Sequence, residues 1–408
     1  MKFGLFYQMQ LPKPLDADDW HPGQEAELFR NCLTEIELAD KVGFDYVFLA
    51  EHHFTGEYNH LSAPAVFLAA IAARTKQIRL GHGIVQMMPP NNHPVKVAEN
   101  VATIDLISNG RMEFGVGTGG ATEQEAFWPE LITLAKAGKT HDVLWEATRE
   151  CLRLMTMTPY PGHHGEYLKL PPGNVVPKPQ QKPHPPLWLA VTSERSLEMA
   201  AARGMGALCL AQGGPDEVEK RVESYWARLS QGITPIGQAI NPVVCTFANA
   251  LIAATDARAR EAERGGADFT NYAIRRAAET THGIAHFHRE FASNERVAPS
   301  FAHVADSALE RAHAAKLASK GTMDAADAPG SVIGSPETAR RRMLGYEATG
   351  VDILAFAHQT GTRRHEDLME SIELAGKLLP EFRERHERGA SARQERFDRL
   401  GLPVNASI

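Results

Sequence analysis

The chain has 408 residues, 43% of them hydrophobic and 23% charged, with a formal net charge of −7. Such a length holds two or three average domains, or one large α/β barrel with insertions. No dense basic cluster interleaves with aromatics, which argues against nucleic-acid binding, and no run approaches the roughly 18 apolar residues of a membrane span. Cys32, Cys151, Cys209 and Cys245 are scattered without a C-x-x-C. That argues against a disulfide framework or zinc ribbon and fits a reducing compartment. Gln8 and Gln10 interrupt the apolar N-terminus before a signal-peptide core forms. The expectation is a cytoplasmic protein.

Taken in chain order, short apolar runs alternate with helical patterns. Phe3 to Gln8 reads as a buried strand, and Leu28, Phe29, Cys32, Leu33, Ile36 and Ala39 then share a helical face ended by Gly43. Asp45 to Ala50 is the second strand, followed by a helix over Ala63 to Thr75. Ile78 to Val85 is the third, and Pro94 suits the first turn of the helix His93 to Ile107. "RMEFGVG" is the fourth strand, and Glu123 to Met157 is mostly helical with a break near Gly138. A Pro-rich excursion over Pro159 to Pro186 precedes the fifth strand, Leu187 to Val191, and a helix over Ser193 to Gly204. Gly206 to Ala211 is the sixth strand, Pro215 to Ser230 a helix, and Val243 to Ala254 the seventh strand. A long Ala- and His-rich helical insertion, about 255–330, follows. A helix over Pro336 to Gly350, the eighth strand Asp352 to Ala357 and a helix over His365 to Arg388 complete the pattern. Eight strand–helix alternations predict a single (β/α)8 TIM barrel over 1–388, with insertions after strands 4 and 7 and a C-terminal tail over 389–408. Alternation alone does not separate a closed barrel from an open doubly wound sheet, so the strand ends must decide.

The second strand ends in Glu51, His52 and His53. Adjacent side chains on a strand point to opposite sides, so one histidine of the pair should face the barrel mouth. A structural histidine, a catalytic acid/base and a metal ligand all remain open readings there. After the fifth strand, Thr192, Ser193 and Ser196 place three hydroxyls at a helix start, which suits either a phosphate or plain N-capping. "GVGTGG" matches G-x-G-x-x-G through Gly115, Gly117 and Gly120. A dinucleotide fingerprint, however, belongs after the first strand of its unit and needs an acid ending the next strand. Here three strand–helix units precede it, and Asp142, at about the right distance, lies in helical sequence. The glycines read better as a close backbone approach to a flat ligand, or as a tight barrel turn. His282, His286 and His288 in the insertion lack an H-E-x-x-H pattern, and Ala339 to Met343 ("ARRRM") reads as a solvated helix face.

Four blocks together resemble the bacterial luciferase-like family of flavin-dependent monooxygenases: "GFDYVFLAEHHFTGEY", "HPVKVAENVATIDLISNGRMEFGVG", "HPPLWLAVTSERSLEMAAARG" and "IGSPETARRRMLGYEATGVDILAF". The resemblance implies a (β/α)8 barrel that binds reduced FMN at its mouth and uses O2, through a flavin hydroperoxide, to oxygenate a small organic substrate. It implies His52 as catalytic acid/base, and Thr192, Ser193 and Ser196 as the phosphate grip. Backbone after the third strand around Gly83 and Ile84 would lie beneath the ring, with Gly117, Thr118 and Gly119 approaching the flavin. Luciferases proper carry a reactive cysteine and then an arginine in the fourth-strand loop, where this chain has Gly117 and Thr118. Light emission is therefore not expected, and His141 becomes the expected partner for the phosphate. Some relatives follow that histidine with a tyrosine where this chain has Trp145. No nicotinamide site is evident, so a separate NAD(P)H:flavin reductase is expected to supply reduced flavin, and the insertion is expected to act as a lid. A homodimer is expected, with neither nucleic acid, membrane nor metal as partner. The rival readings are a deazaflavin-dependent hydride-transfer enzyme of the same superfamily, a non-catalytic flavin-binding barrel, and a metal hydrolase built on His52 and His53.

Overall fold

The computed structural model describes residues 1–408 except 15, 16, 18, 129, 211–213, 268, 275, 276 and 278–323. The barrel strands are β1 (Lys2–Tyr7), β2 (Tyr46–Leu49), β3 (Arg79–Gln86) and β4 (Met112–Gly117). A two-stranded hairpin of β5 (His163–His164) and β6 (Lys169–Leu170) interrupts the series. It continues with β7 (Leu187–Val191), β8 (Gly206–Leu210), β9 (Val244–Ile252), β10 (Val332–Gly334) and β11 (Ile353–Gln359). Every expected barrel strand is present, with ends displaced by a residue or two.

Eight of these strands close on themselves. All neighbours in the order β9-β11-β1-β2-β3-β4-β7-β8 are parallel, and β8 returns to β9 with Leu208 opposite Cys245. That closing pair makes the sheet a barrel, and helices between the strands cover its outside. Strand residues alternate between two cores. Phe6, Tyr46, Phe48, Trp188, Leu208, Cys245 and Phe247 fill the barrel interior, while Leu5, Val47, Leu80, Phe114 and Leu189 pack in the larger core that includes helix residues such as Ile36, Leu68 and Val101.

Gly115 shows why this interior needs glycine. A Cβ there would lie 2.1 Å from the Gly83 carbonyl oxygen, so β3 and β4 could not approach as they do. The first glycine of the GVGTGG pattern is thus explained by strand packing.

Differences from expectation are local. The segment after β4 forms three helices, Ala121–Phe127, Leu131–Lys136 and Thr140–Thr156, with Gly138 at φ +72° before the last. The three-residue β10 extends the top of β9 in parallel, Val332 opposite Ala250, and was too short to show a period. Of the long insertion, the helix Asp256–Glu263 and the turn Ala325–Asp327 are described. His282, His286 and His288 lie outside the described residues, as does most of the expected lid. The expected tail contains a helix, Ala390–Asp398, and its last residues return to the barrel. The Tyr46 hydroxyl donates to the Ser407 carbonyl at 2.6 Å, and Ser407 Oγ donates to Glu113.

Candidate active site

β2 ends at Leu49, and the next residues splay at the C-terminal end of the barrel, where such folds place their chemistry. The His52 side chain keeps 22% of its surface exposed, and its Nδ1 lies 2.7 Å from Glu123 Oε1. Glu123 stands in the first turn of the helix Ala121–Phe127 and is only 2% exposed. Burial pushes its carboxyl up, but the His52 hydrogen bond and charge outweigh this and hold it below the usual range. An ionised carboxylate only accepts, so His52 must donate from Nδ1, which leaves Nε2 as the basic nitrogen. The Tyr58 ring lies 5.3 Å from the imidazole, and the Gln8 side-chain amide donates to its hydroxyl.

His53 turns elsewhere. Its Nε2 donates to Glu51 Oε1 at 3.1 Å, while His82 Nε2 and Asn92 Nδ2 donate to the same carboxylate at 3.2 and 2.6 Å. Burial pushes Glu51 up, yet these three donors prevail and bring it down to about 2. The neighbouring histidines therefore serve different carboxylates, as the alternation of side chains predicts. Gln86 ties this network to the loop after β4. Its amide donates to the Glu51 carbonyl at 2.9 Å, and its side chain lies where a Cβ on Gly119 would clash.

Small residues line the adjoining strand ends. A Cβ on Gly117 would meet Ile84 at 3.0 Å and Ala190 at 3.5 Å, and Gly83 has the Leu49 carbonyl 3.1 Å from its own Cβ position. The registry of β3 against β4 shifts between His82 and Val85, so Gly83 and Ile84 sit at an irregularity inside β3 rather than after it. Thr118 is half-buried, and its carbonyl accepts from Gln124 at 3.0 Å. These glycines let β2, β3, β4 and β7 approach closely at the end of the barrel where His52 stands.

At the end of β7 two of the three expected hydroxyls, those of Ser193 and Ser196, are engaged with one another. Ser193 Oγ accepts from the Ser196 N–H at 3.2 Å, and Ser196 Oγ accepts from the Thr192 and Ser193 N–H groups at 3.1 and 3.0 Å. This is a capping box on the helix Glu194–Ala202. The N–H groups of Glu194 and Arg195, at the first helical positions, have no intrahelical acceptor. Thr192, Ser193 and Arg195 are exposed. His141, at the start of the helix Thr140–Thr156, is half-buried. Burial, then the charges of Arg195 and Arg203, hold its pKa below the usual histidine value, so the ring is neutral at pH 7. Positive charge at this end thus resides on the arginines, Arg203 lying 4.0 Å over the Trp145 ring.

Sequence reading missed Glu123 and Arg195. Both are ordinary first-turn residues of helices, and nothing local shows that one lies against His52 and the other beside His141. Among the described residues no group of three or more His, Cys, Asp or Glu side chains has metal-ligating geometry.

Residues 1–353 match the family model described as luciferase-like monooxygenase. The oxygenase component of flavin-dependent trigonelline monooxygenase from Acinetobacter baylyi is 29% identical over 230 residues, 54% of this chain and 57% of that protein. The chain spans little more than half the length of the first curated relatives it matches. Among solved structures, the oxygenating constituent of 3,6-diketocamphane monooxygenase from Pseudomonas putida, in complex with FMN, superposes with a TM-score of 0.66. Its identity is 19%, over 92% of this chain and 97% of that one. The coenzyme F420-dependent tetrahydromethanopterin reductase of Methanopyrus kandleri has a TM-score of 0.61 at 20% identity, over 93% and 99% of the two chains. Barrel closure, the strand-2 histidine tip and a family match over most of the sequence agree: the chain belongs to the luciferase-like monooxygenase family.

Proposed function

We propose that this protein is the oxygenase of a two-component system, inserting an oxygen atom from O2 into a small organic substrate with reduced FMN. A separate NAD(P)H:flavin reductase would supply the reduced flavin. The observation that carries this reading is His52, fixed by Glu123 with Nε2 unoccupied by that bond, at the C-terminal end of β2 next to β3 and β4. Gly83, Ile84 and Gly117 lie in the C-terminal halves of these strands, where the ring would rest. The bound flavin supplies the oxygen chemistry, and the protein supplies position, exclusion of water and a proton site. Thr118 and the loop around it flank the ring. Ser193 and Ser196 cap a helix whose first N–H groups would receive the phosphate, with the exposed Thr192 and Arg195 beside them as hydroxyl and cation and His141 alongside. The relative named as an oxygenase component supports a separate reductase.

We also propose a homodimer within the cytoplasm. Val66, Leu106 and Ile107 are 73, 45 and 50% exposed on the outer helices Pro64–Arg74 and Pro94–Ile107, apolar side chains available for self-association. Light scattering on the purified protein should read twice the chain mass, and a monomer at micromolar concentration would end that part of the proposal.

The likeness to an F420-dependent reductase makes hydride transfer the second reading. One experiment separates the two. Aldehydes, cyclic ketones, terpenes and N-heteroaromatic acids are offered with reduced FMN and labelled O2, and again with a reduced deazaflavin under argon. Label in a product supports the oxygenase. Turnover confined to the anaerobic deazaflavin arm would replace it with a hydride-transfer enzyme.

A further inference from the structure

Glu123 is a buried carboxylate whose one charge partner among the described residues is His52. Burying a carboxylate is costly unless charge or hydrogen bonds compensate it. The compensation here comes from His52 Nδ1 at 2.7 Å, then from the Glu123 backbone N–H and, more weakly, from the His53 backbone N–H at 3.4 Å. Its own position is constrained as well, because a Cβ at Gly120 would lie 2.5 Å from Glu123 Oε2. The carboxylate is therefore packed against the loop on one side and bonded to the imidazole on the other.

We propose that Glu123 is the positioning residue of a carboxylate–imidazole dyad that makes Nε2 of His52 the base of this site. The proposal rests on the reading of His52 as the acid/base group. In the step it serves, the bond from a dissociable hydrogen to the substrate breaks and its electron pair stays on the substrate atom. The proton forms a new bond to Nε2. The Nδ1–H bond stays intact and points at the carboxylate, which stabilises the imidazolium without accepting its proton.

The other titratable groups around His52 have separate engagements. Tyr58 faces the ring, with its hydroxyl bonded by Gln8. Glu57, on the same turn, accepts from the Lys13 N–H. Glu51 is turned to His53, His82 and Asn92. Glu123 is thus the carboxylate that directly contacts the His52 ring.

The test uses nitrogen NMR on flavin-free protein with labelled histidine, the His52 signal being identified by its loss in His52→Asn. In the wild type, the neutral ring should show a proton on Nδ1 and none on Nε2. The reverse tautomer overturns the proposal without any variant at Glu123. Glu123→Gln, which keeps size but not charge, should raise the share of the neutral ring protonated on Nε2 and lower kcat about tenfold or more while KM changes little. Glu123→Asp should restore part of both. A lost kcat with an unchanged tautomer would reduce Glu123 to a packing role. A wild-type chain with the expected tautomer but no oxygenated product would instead defeat the proposed function.

Discussion

Glu51 is 3% exposed, and its carboxyl sits at about 2 against an ordinary 4.5. A carboxyl depressed on folding contributes stability that is fully present above its unfolded value and is lost as pH falls through the folded one. The window therefore runs from pH 4.5 down to about 2, and the contribution is about 3 kcal/mol. Urea midpoints measured from pH 6 to 2 should fall more steeply for the wild type than for Glu51→Gln. Parallel slopes would show that His53, His82 and Asn92 do not hold the ionised form. At this scale the sequence marked the histidine pair and the alternation that separates its side chains. It did not mark Glu123, 71 residues further on, because a hydrogen bond across that separation leaves no local pattern. The same holds for Arg195 beside His141. The hydroxyls of Thr192, Ser193 and Ser196 were legible as a group, and the capping box shows why three stand together: two of them serve the helix end itself.

Elements were more legible than residues. Strands such as Leu187–Val191 are continuous apolar runs because both of their faces are buried, one in the barrel and one beneath helices. The helix Pro336–Ala348 announces itself through Ser335 at its cap and Pro336 in its first turn. The three-residue β10 and the two-residue strands of the hairpin were not readable, since a period of two needs more residues to declare itself. The GVGTGG pattern lies between these cases. Its spacing invited a dinucleotide reading, and its place in the strand order argued against it. Gly115 answers to the close approach of β3, and Gly117 to that of Ile84 and Ala190.

For the molecule as a whole, barrel closure depends on contacts far apart in the chain, and the C-terminal segment is part of it. Ile240 N–H donates to the Pro403 carbonyl at 2.8 Å, and Asn405 N–H returns to the Ile240 carbonyl at 3.0 Å. Ser407 then reaches Tyr46 and the buried Glu113, which also accepts from Trp188 Nε1 at 2.6 Å and pairs with Arg79. Removing residues 402–408 opens this end and should cost about 3 kcal/mol or more, through lost hydrogen bonds and exposure of Tyr46 and Trp188. A lower melting temperature with unchanged FMN affinity is expected, because the proposed cofactor site lies at the opposite end of the strands. An unchanged melting temperature would show that the segment is not part of the closure. The chain order of strands and helices, the histidine tip and the glycines were determined by the sequence alone, because burial pattern and turn chemistry are local. Tertiary structure alone decided that β8 meets β9, that Glu123 meets His52 and that Ser407 meets Glu113. Each is a pairing between distant residues, and only the folded backbone brings them within hydrogen-bonding reach.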